Sequence, residues 1–217
     1  MSLTLYFHPL ASYCWKVLLA LYESDTPFEP HNVDLGDPAA RADLERLWPI
    51  AKFPVLRDVA RNVVVPESTI IVEYLAEQRA GARSLIPTEP ELAREVRLAD
   101  RFYDQYVHER MQKIVGDRLR PAERRDAYGV EKARADLDLA YRMIDEAMRA
   151  REWAAAGAFT LADCAAAPAL YYANRVQPLG ERYPHAARYL GRLLARPSFQ
   201  RVLAEAEPYF KYFPAEE

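Results

Sequence analysis

Strand-forming patterns are confined to the first 79 residues of this 217-residue chain, and beyond them only helical periodicity remains. That asymmetry divides the chain into an α/β unit over 1–79, a turn-rich linker over 80–90 and an all-helical unit over 91–217. Leu3 to Phe7 alternates apolar and polar residues and stops at His8-Pro9, a short strand ended by a turn. Ser12 is placed to cap a helix running to about Glu23, with Val17, Leu18, Leu21 and Tyr22 inward. Phe28 to Val33 is a second strand, and Asp37-Pro38 opens a short helix ending near Leu47. The Pro-punctuated stretch from Trp48 to Pro54 runs into a third strand at Val55-Leu56, and Asn62 to Val65 is a fourth. Pro66-Glu67-Ser68 then opens a helix carrying Ile70, Ile71, Tyr74 and Leu75. The βαβ half implies parallel pairing through a right-handed crossover. The ββα half supplies antiparallel partners.

In the second unit, Glu91 to Val115 reads as one long amphipathic helix, with Val96, Ala99, Phe102, Tyr103 and Val107 at helical spacing. Val130 to Ala150 is another, Phe159 to Tyr172 a third, and 184–210 holds two short ones. Thr160 and Asp163 form a capping box at the start of the third.

Composition narrows the function. The 29 basic and 32 acidic residues leave a net charge of −3, which does not suit a nucleic-acid binder. Arg118, Arg120, Arg124 and Arg125 are interrupted by Asp117 and Glu123 and read as a solvated helix junction. No run of 18 apolar residues predicts a membrane span, and the N-terminus lacks the pattern of a signal peptide. Cys14 and Cys164 belong to no CxxC pair, so a cytoplasmic location is the default. None of the four His residues has a clustered partner, and no metal site is expected.

Three segments carry candidate chemistry. Phe53-Pro54 lies at a strand entry. It is either a trans proline ending a loop or a cis one, which would turn the Phe53 N–H and C=O outward for an extended peptide ligand. Glu67-Ser68 lies at a helix start, where free N–H groups favour an anion and Glu67 can pair with an ammonium; both residues could equally serve only as caps. Ala11-Ser12-Tyr13-Cys14 lies at the first strand-to-helix turn, where the positive end of the helix favours a thiolate, on Cys14 or on a ligand.

Together these segments, in this order, resemble the glutathione S-transferase family over essentially the whole chain. The matching pieces are Leu5-Tyr6-Phe7-His8-Pro9 through Trp15-Lys16-Val17, Lys52-Phe53-Pro54-Val55-Leu56, Pro66-Glu67-Ser68-Thr69-Ile70-Ile71 and Phe159-Thr160-Leu161-Ala162-Asp163. The pattern is closest to the serine- and cysteine-type bacterial classes. The resemblance implies a thioredoxin-like domain followed by a helical one, glutathione as co-substrate, and a homodimer. It implies that the Phe53 backbone holds the cysteinyl part of glutathione ahead of Pro54, that Glu67 and Ser68 hold the γ-glutamyl end, and that Lys52 lies near the glycyl carboxylate.

At the position where the serine and cysteine classes keep the residue that contacts sulfur, this chain has Ala11. Ser12 is the substitute we assign, with Cys14 and Tyr6 as alternatives. The activity implied is conjugation of the glutathione thiolate to a small hydrophobic electrophile. A glutathione-dependent isomerase or lyase of the same fold, or a non-catalytic binding protein, stands as the alternative. Tyr103, Tyr106, His8, His108, Met111 and the tail 209–213 are candidates for the wall of the second-substrate site, with ordinary core packing the favoured alternative for each.

Overall fold

The computed structural model of the protein describes residues 2–78 and 84–214. Arg79, where the first unit was expected to end, and linker residues 80–83 lie outside the described residues.

The N-terminal unit runs β1 (Leu3–Phe7), α1 (Ser12–Glu23), β2 (Glu29–Asn32), α2 (Pro38–Leu47), β3 (Val55–Asp58), β4 (Val63–Pro66) and α3 (Ser68–Gln78). Its sheet has the order β2-β1-β3-β4, with β1 parallel to β2 and the other pairs antiparallel. Alternation along β1 sends Leu3, Leu5 and Phe7 into the main core and leaves Thr4 and Tyr6 on the opposite face. There Tyr6 packs with Val33, Leu44 and Val55 under α2. Asp37 caps α2 through the Ala39 N–H, as its Asp-Pro opening predicts.

The helical unit comprises α4 (Pro90–Phe102), a π-helical stretch (Tyr103–His108), α5 (Glu109–Arg118), α6 (Ala127–Ala147), α7 (Leu161–Val176), α8 (Pro184–Leu194) and α9 (Pro197–Ala206). The single helix expected over 91–115 is thus three segments, widened by one π stretch, a feature common at functional sites. Thr160 and Asp163 do form the capping box. Asp163 has a further role: its other oxygen accepts from the Ala154 N–H at 2.9 Å and the Tyr189 hydroxyl at 2.6 Å. Burial raises its pKa, and these hydrogen bonds oppose the rise.

α1 is the element shared by both units. Every residue from Cys14 to Leu21 is buried, because the helix lies between the sheet with α3 on one side and α7 with α9 on the other. Trp15 sits among Tyr171, Tyr172, Phe199 and Phe210, and its indole N–H donates to the Pro9 carbonyl. Lys16, 1% exposed, reaches across the junction. Its ammonium donates to Asp100 at 2.7 Å, to Asp104 at 2.6 Å and to the Thr69 hydroxyl at 3.1 Å. Arg101 closes the cluster from the outer side, touching both carboxylates and Thr69.

Removing one partner from a buried ion pair leaves the other charge uncompensated, at about 3–5 kcal/mol. Lys16→Met should therefore lower the urea-unfolding free energy by that order. Adding Asp100→Asn and Asp104→Asn to it should recover much of the loss.

Candidate functional site

A cleft of about 570 Å³ opens between the two units, and its lining brings together residues far apart in sequence. Lys52, Phe53 and Pro54 come from the turn before β3, Glu67, Ser68 and Thr69 from the β4–α3 junction, and Tyr13 from the first turn of α1. The facing wall is the helical unit, with Arg97, Asp100, Arg101, Asp104, Gln105 and Glu109. All five residues expected to hold glutathione therefore lie in one cavity.

Their local geometry suits a ligand with peptide character. The Phe53–Pro54 bond is cis. The β3 ladder begins at Val55, paired with Tyr6 and Pro66, so the Phe53 N–H and C=O lie ahead of it. Lys52 is exposed and forms no ion pair among the described residues. Glu67 has φ 71°, a left-handed conformation that non-glycine residues rarely adopt, and it immediately precedes α3. Such strain is kept where a side chain must be aimed at a site. Sequence reading missed it because nothing in Pro-Glu-Ser demands a positive φ.

The sulfur side differs more from expectation. Ala11, not Ser12, is the N-cap of α1, and no side chain caps the helix. Ser12 is the first helical residue and buried, and its hydroxyl is hydrogen-bonded to Nε2 of His108 in the π stretch. It is not part of the cleft lining; its neighbour Tyr13 is. Cys14 is wholly enclosed, and burial drives its thiol pKa far up, which overturns the reactive-thiol alternative. Tyr6 lies on the other face of the sheet against His31, away from the cleft.

Most of the candidates for the wall of a second-substrate site turn inward. Tyr103, His108 and Met111 are buried in the core. Tyr106 lines a second, more apolar groove of about 780 Å³ with Leu98, Leu139 and Met143, which adjoins the cleft through Arg101 and Gln105. The tail docks beside the sheet: Tyr209 accepts from the Asn32 amide at 3.1 Å and packs edge-on to His8. His8 in turn stacks on Phe53, a residue of the cleft lining.

His108 is neutral. Burial, aided by the Lys16 charge, pushes its pKa down to about 3, and its Nδ1 has no hydrogen-bond partner. Tyr13 packs edge-on to that imidazole at 4.0 Å. Its phenol is held protonated well above the usual range, first by burial and then by the carboxylates of Asp104, Glu109 and Glu67. No group of three or more potential metal ligands occurs among the described residues. Nor is any described helix long and apolar enough to cross a membrane.

Two outcomes follow from this geometry. Glycine removes the left-handed penalty at position 67 and alanine does not, so Glu67→Gly should be more stable to urea than Glu67→Ala by about 1 kcal/mol. His108 has a folded pKa below its unfolded value of 6.5. The unfolded chain therefore takes up a proton that the folded one refuses. The stability from this group is complete above pH 6.5 and is lost as pH falls toward 3, at about 1.4 kcal/mol per pH unit. Between pH 7 and pH 5 the unfolding free energy should fall by about 2 kcal/mol from this source, and His108→Gln should flatten that slope.

The comparisons agree with the geometry. Residues 5–83 match the family described as glutathione S-transferase, N-terminal domain, and residues 107–197 match glutathione S-transferase, C-terminal domain. The stringent starvation protein A homolog of Coxiella burnetii is 31% identical over 94% of this chain and 93% of its own length. Glutathione S-transferase GstB of Escherichia coli is 26% identical over 87% of this chain and 91% of its own. The crystal structure of a glutathione S-transferase from Methylobacillus flagellatus with glutathione bound is 28% identical and superposes with a TM-score of 0.83, covering 93% of this chain and 98% of that one. These matches single out no serine- or cysteine-type class. With both domains matched in order, and with the cleft between them lined as the motifs foretell, the chain belongs to the glutathione S-transferase superfamily.

Proposed function

We propose that this protein is a glutathione transferase that holds glutathione in the interdomain cleft and conjugates its thiolate to a small electrophile. The observation that carries the reading is the convergence of Lys52, Phe53, Pro54, Glu67 and Ser68 on one cavity beside the first turn of α1. In this reading the Phe53 backbone pairs with the cysteinyl unit, Glu67 with the ligand ammonium, Ser68 with the γ-glutamyl carboxylate and Lys52 with the glycyl carboxylate. The homodimer expected from the family and the cytoplasmic location expected from the cysteine usage belong to the same reading.

Lowering a thiol pKa from about 8.5 to about 6.5 needs roughly 2.7 kcal/mol of preference for the thiolate. A hydrogen bond to a charged group contributes about 1.5–3 kcal/mol. Ser12 is the donor in this reading. Neutral His108 protonated at Nε2 donates to the serine oxygen, which leaves the serine hydrogen for the sulfur. The uncapped first-turn N–H groups of α1 add to the same field.

A second reading is glutathione binding without activation. It draws on Ala11 at the sulfur position and on the hydroxyl of Ser12 already engaged by His108.

Glutathione titration followed by ultraviolet thiolate absorbance separates the two. Conjugation predicts a bound thiol with a pKa lowered by about 2 units, and Ser12→Ala should raise it again by at least 1 unit with little change in affinity. Binding at the free-thiol pKa favours the second reading. Glu67→Gly with Ser68→Ala should weaken glutathione binding at least tenfold, and intact affinity in that folded double variant rejects both readings.

A further inference from the structure

Glutathione holding leaves one charged side chain of the cleft unused. Among the carboxylates of the lining, Asp100 and Asp104 are held by Lys16 and Arg101, and Glu73 by Arg97 at 2.6 Å. Glu67 is assigned to the ligand ammonium. The one that remains is Glu109, 56% exposed, whose ion-pair contact among the described residues is to Arg110 at 3.8 Å. That guanidinium turns to Asp136 instead, at 3.1 Å. On the basic side, Arg97 and Arg101 are engaged by the carboxylates already named, and Lys52 is assigned to the glycyl carboxylate.

Glu109 stands at the sulfur end of the cleft. The helical wall passes the N-terminal unit in order. Arg97 meets Glu73 in α3, Asp100 and Arg101 meet Thr69 near the start of α3, and Asp104 meets Lys16 in α1. Glu109 follows on the same wall, and its charge acts on the Tyr13 phenol in the first turn of α1. An electrophile that reaches sulfur at the start of α1 therefore meets this carboxylate. Bound glutathione does not neutralise it, because the thiolate and both ligand carboxylates are anions and the one ammonium is at Glu67. A carboxylate with no cation closely facing it attracts a positive group and repels a negative one, and the low-dielectric walls of a cleft strengthen both effects.

We propose that Glu109 is a specificity-determining residue that selects, as second substrate, an organic cation whose positive group lies beside the carbon that sulfur attacks. This rests on the transferase reading above and names the electrophile class for it. The thiol proton goes to water as the thiolate forms. Sulfur then bonds to the electrophilic carbon, and the leaving group departs with the electron pair of the bond that breaks. Glu109 takes no proton and forms no covalent bond. It holds the cationic group against the helical wall, and by repulsion it disfavours an anionic competitor of the same shape.

The test uses three benzyl bromides that differ only in the para substituent: trimethylammoniomethyl, carboxymethyl or hydrogen. The methylene insulates the reacting carbon from the charge. Each rate is divided by that of free glutathione thiolate at the same pH and salt, because an anion in solution also prefers the cation. Each charged substrate is then read as a ratio to benzyl bromide with the same protein, so a general loss of activity cancels. Wild type should prefer the cation to the anion by about tenfold in kcat/KM, and Glu109→Gln should shrink that preference about fivefold. Glu109→Lys should reverse it. Position 109 is largely exposed, so both variants keep the fold. A wild type with no preference for the cation overturns the proposal. So does a preference that survives both substitutions, because another group then sets it. If Glu109→Gln weakens glutathione binding itself, Glu109 belongs to the holding row, and the proposal is overturned as well. A wild type that binds glutathione but conjugates none of the three overturns the transferase reading, and the role of Glu109 with it.

Discussion

The cluster of Lys16, Asp100 and Asp104 fixes how the two units meet. One ammonium on α1 is shared by two carboxylates on α4 and the π stretch, with essentially no solvent at the contact. Taking such charges out of water costs several kcal/mol per ion, and only short, multiple hydrogen bonds offset it. Arg101 and Thr69 supply the remaining partners. Burial still raises the pKa of Asp104 despite the Lys16 charge, a sign that desolvation is not fully offset there. Such a cluster contributes geometry more than net stability. It holds α4 and the π stretch against α1, and Asp100 and Asp104 line the cleft as well.

The same π stretch makes a second tie, from His108 to Ser12. Both ties land on adjacent turns of α1, one charged and one neutral. Between them stands Tyr13, packed on His108 and facing the cavity. The first turn of α1 thus has its three side chains assigned to three surroundings: Ser12 to the helical unit, Tyr13 to the cleft, Cys14 to the core.

That assignment marks where sequence reading stops. The strands and the Asp37 and Thr160 helix starts were legible because each depends on residues a few positions apart, and the row of Lys52, Phe53, Pro54, Glu67 and Ser68, expected from the family resemblance, does line one cleft. Alternation gives a strand its two faces, and an Asx or Thr cap needs only its own first turn. The partner of Ser12 lies 96 residues away. α1 is enclosed almost all round, so its apolar pattern cannot say which side meets the sheet and which the helical unit. The same blindness applies to Tyr103, His108 and Met111. Their spacing along one helix is compatible with a pocket wall or a core face, and packing against α1, α6 and α7 decides for the core.

The neutrality of His108 limits the chemistry further. Burial pushes the His108 pKa down to about 3, so in the transferase reading the imidazole serves as a fixed hydrogen-bond partner of Ser12 rather than as a store for the thiol proton. Proton removal from the thiol then falls to solvent in that reading, and the cleft contributes a field. That field is uneven. It is positive at the uncapped start of α1 and negative around the Tyr13 phenol, where Asp104, Glu109 and Glu67 act together. In the transferase reading the sulfur anion belongs at the uncapped start of α1, so one rigid turn of that helix both orients the thiol and sets the charge it meets.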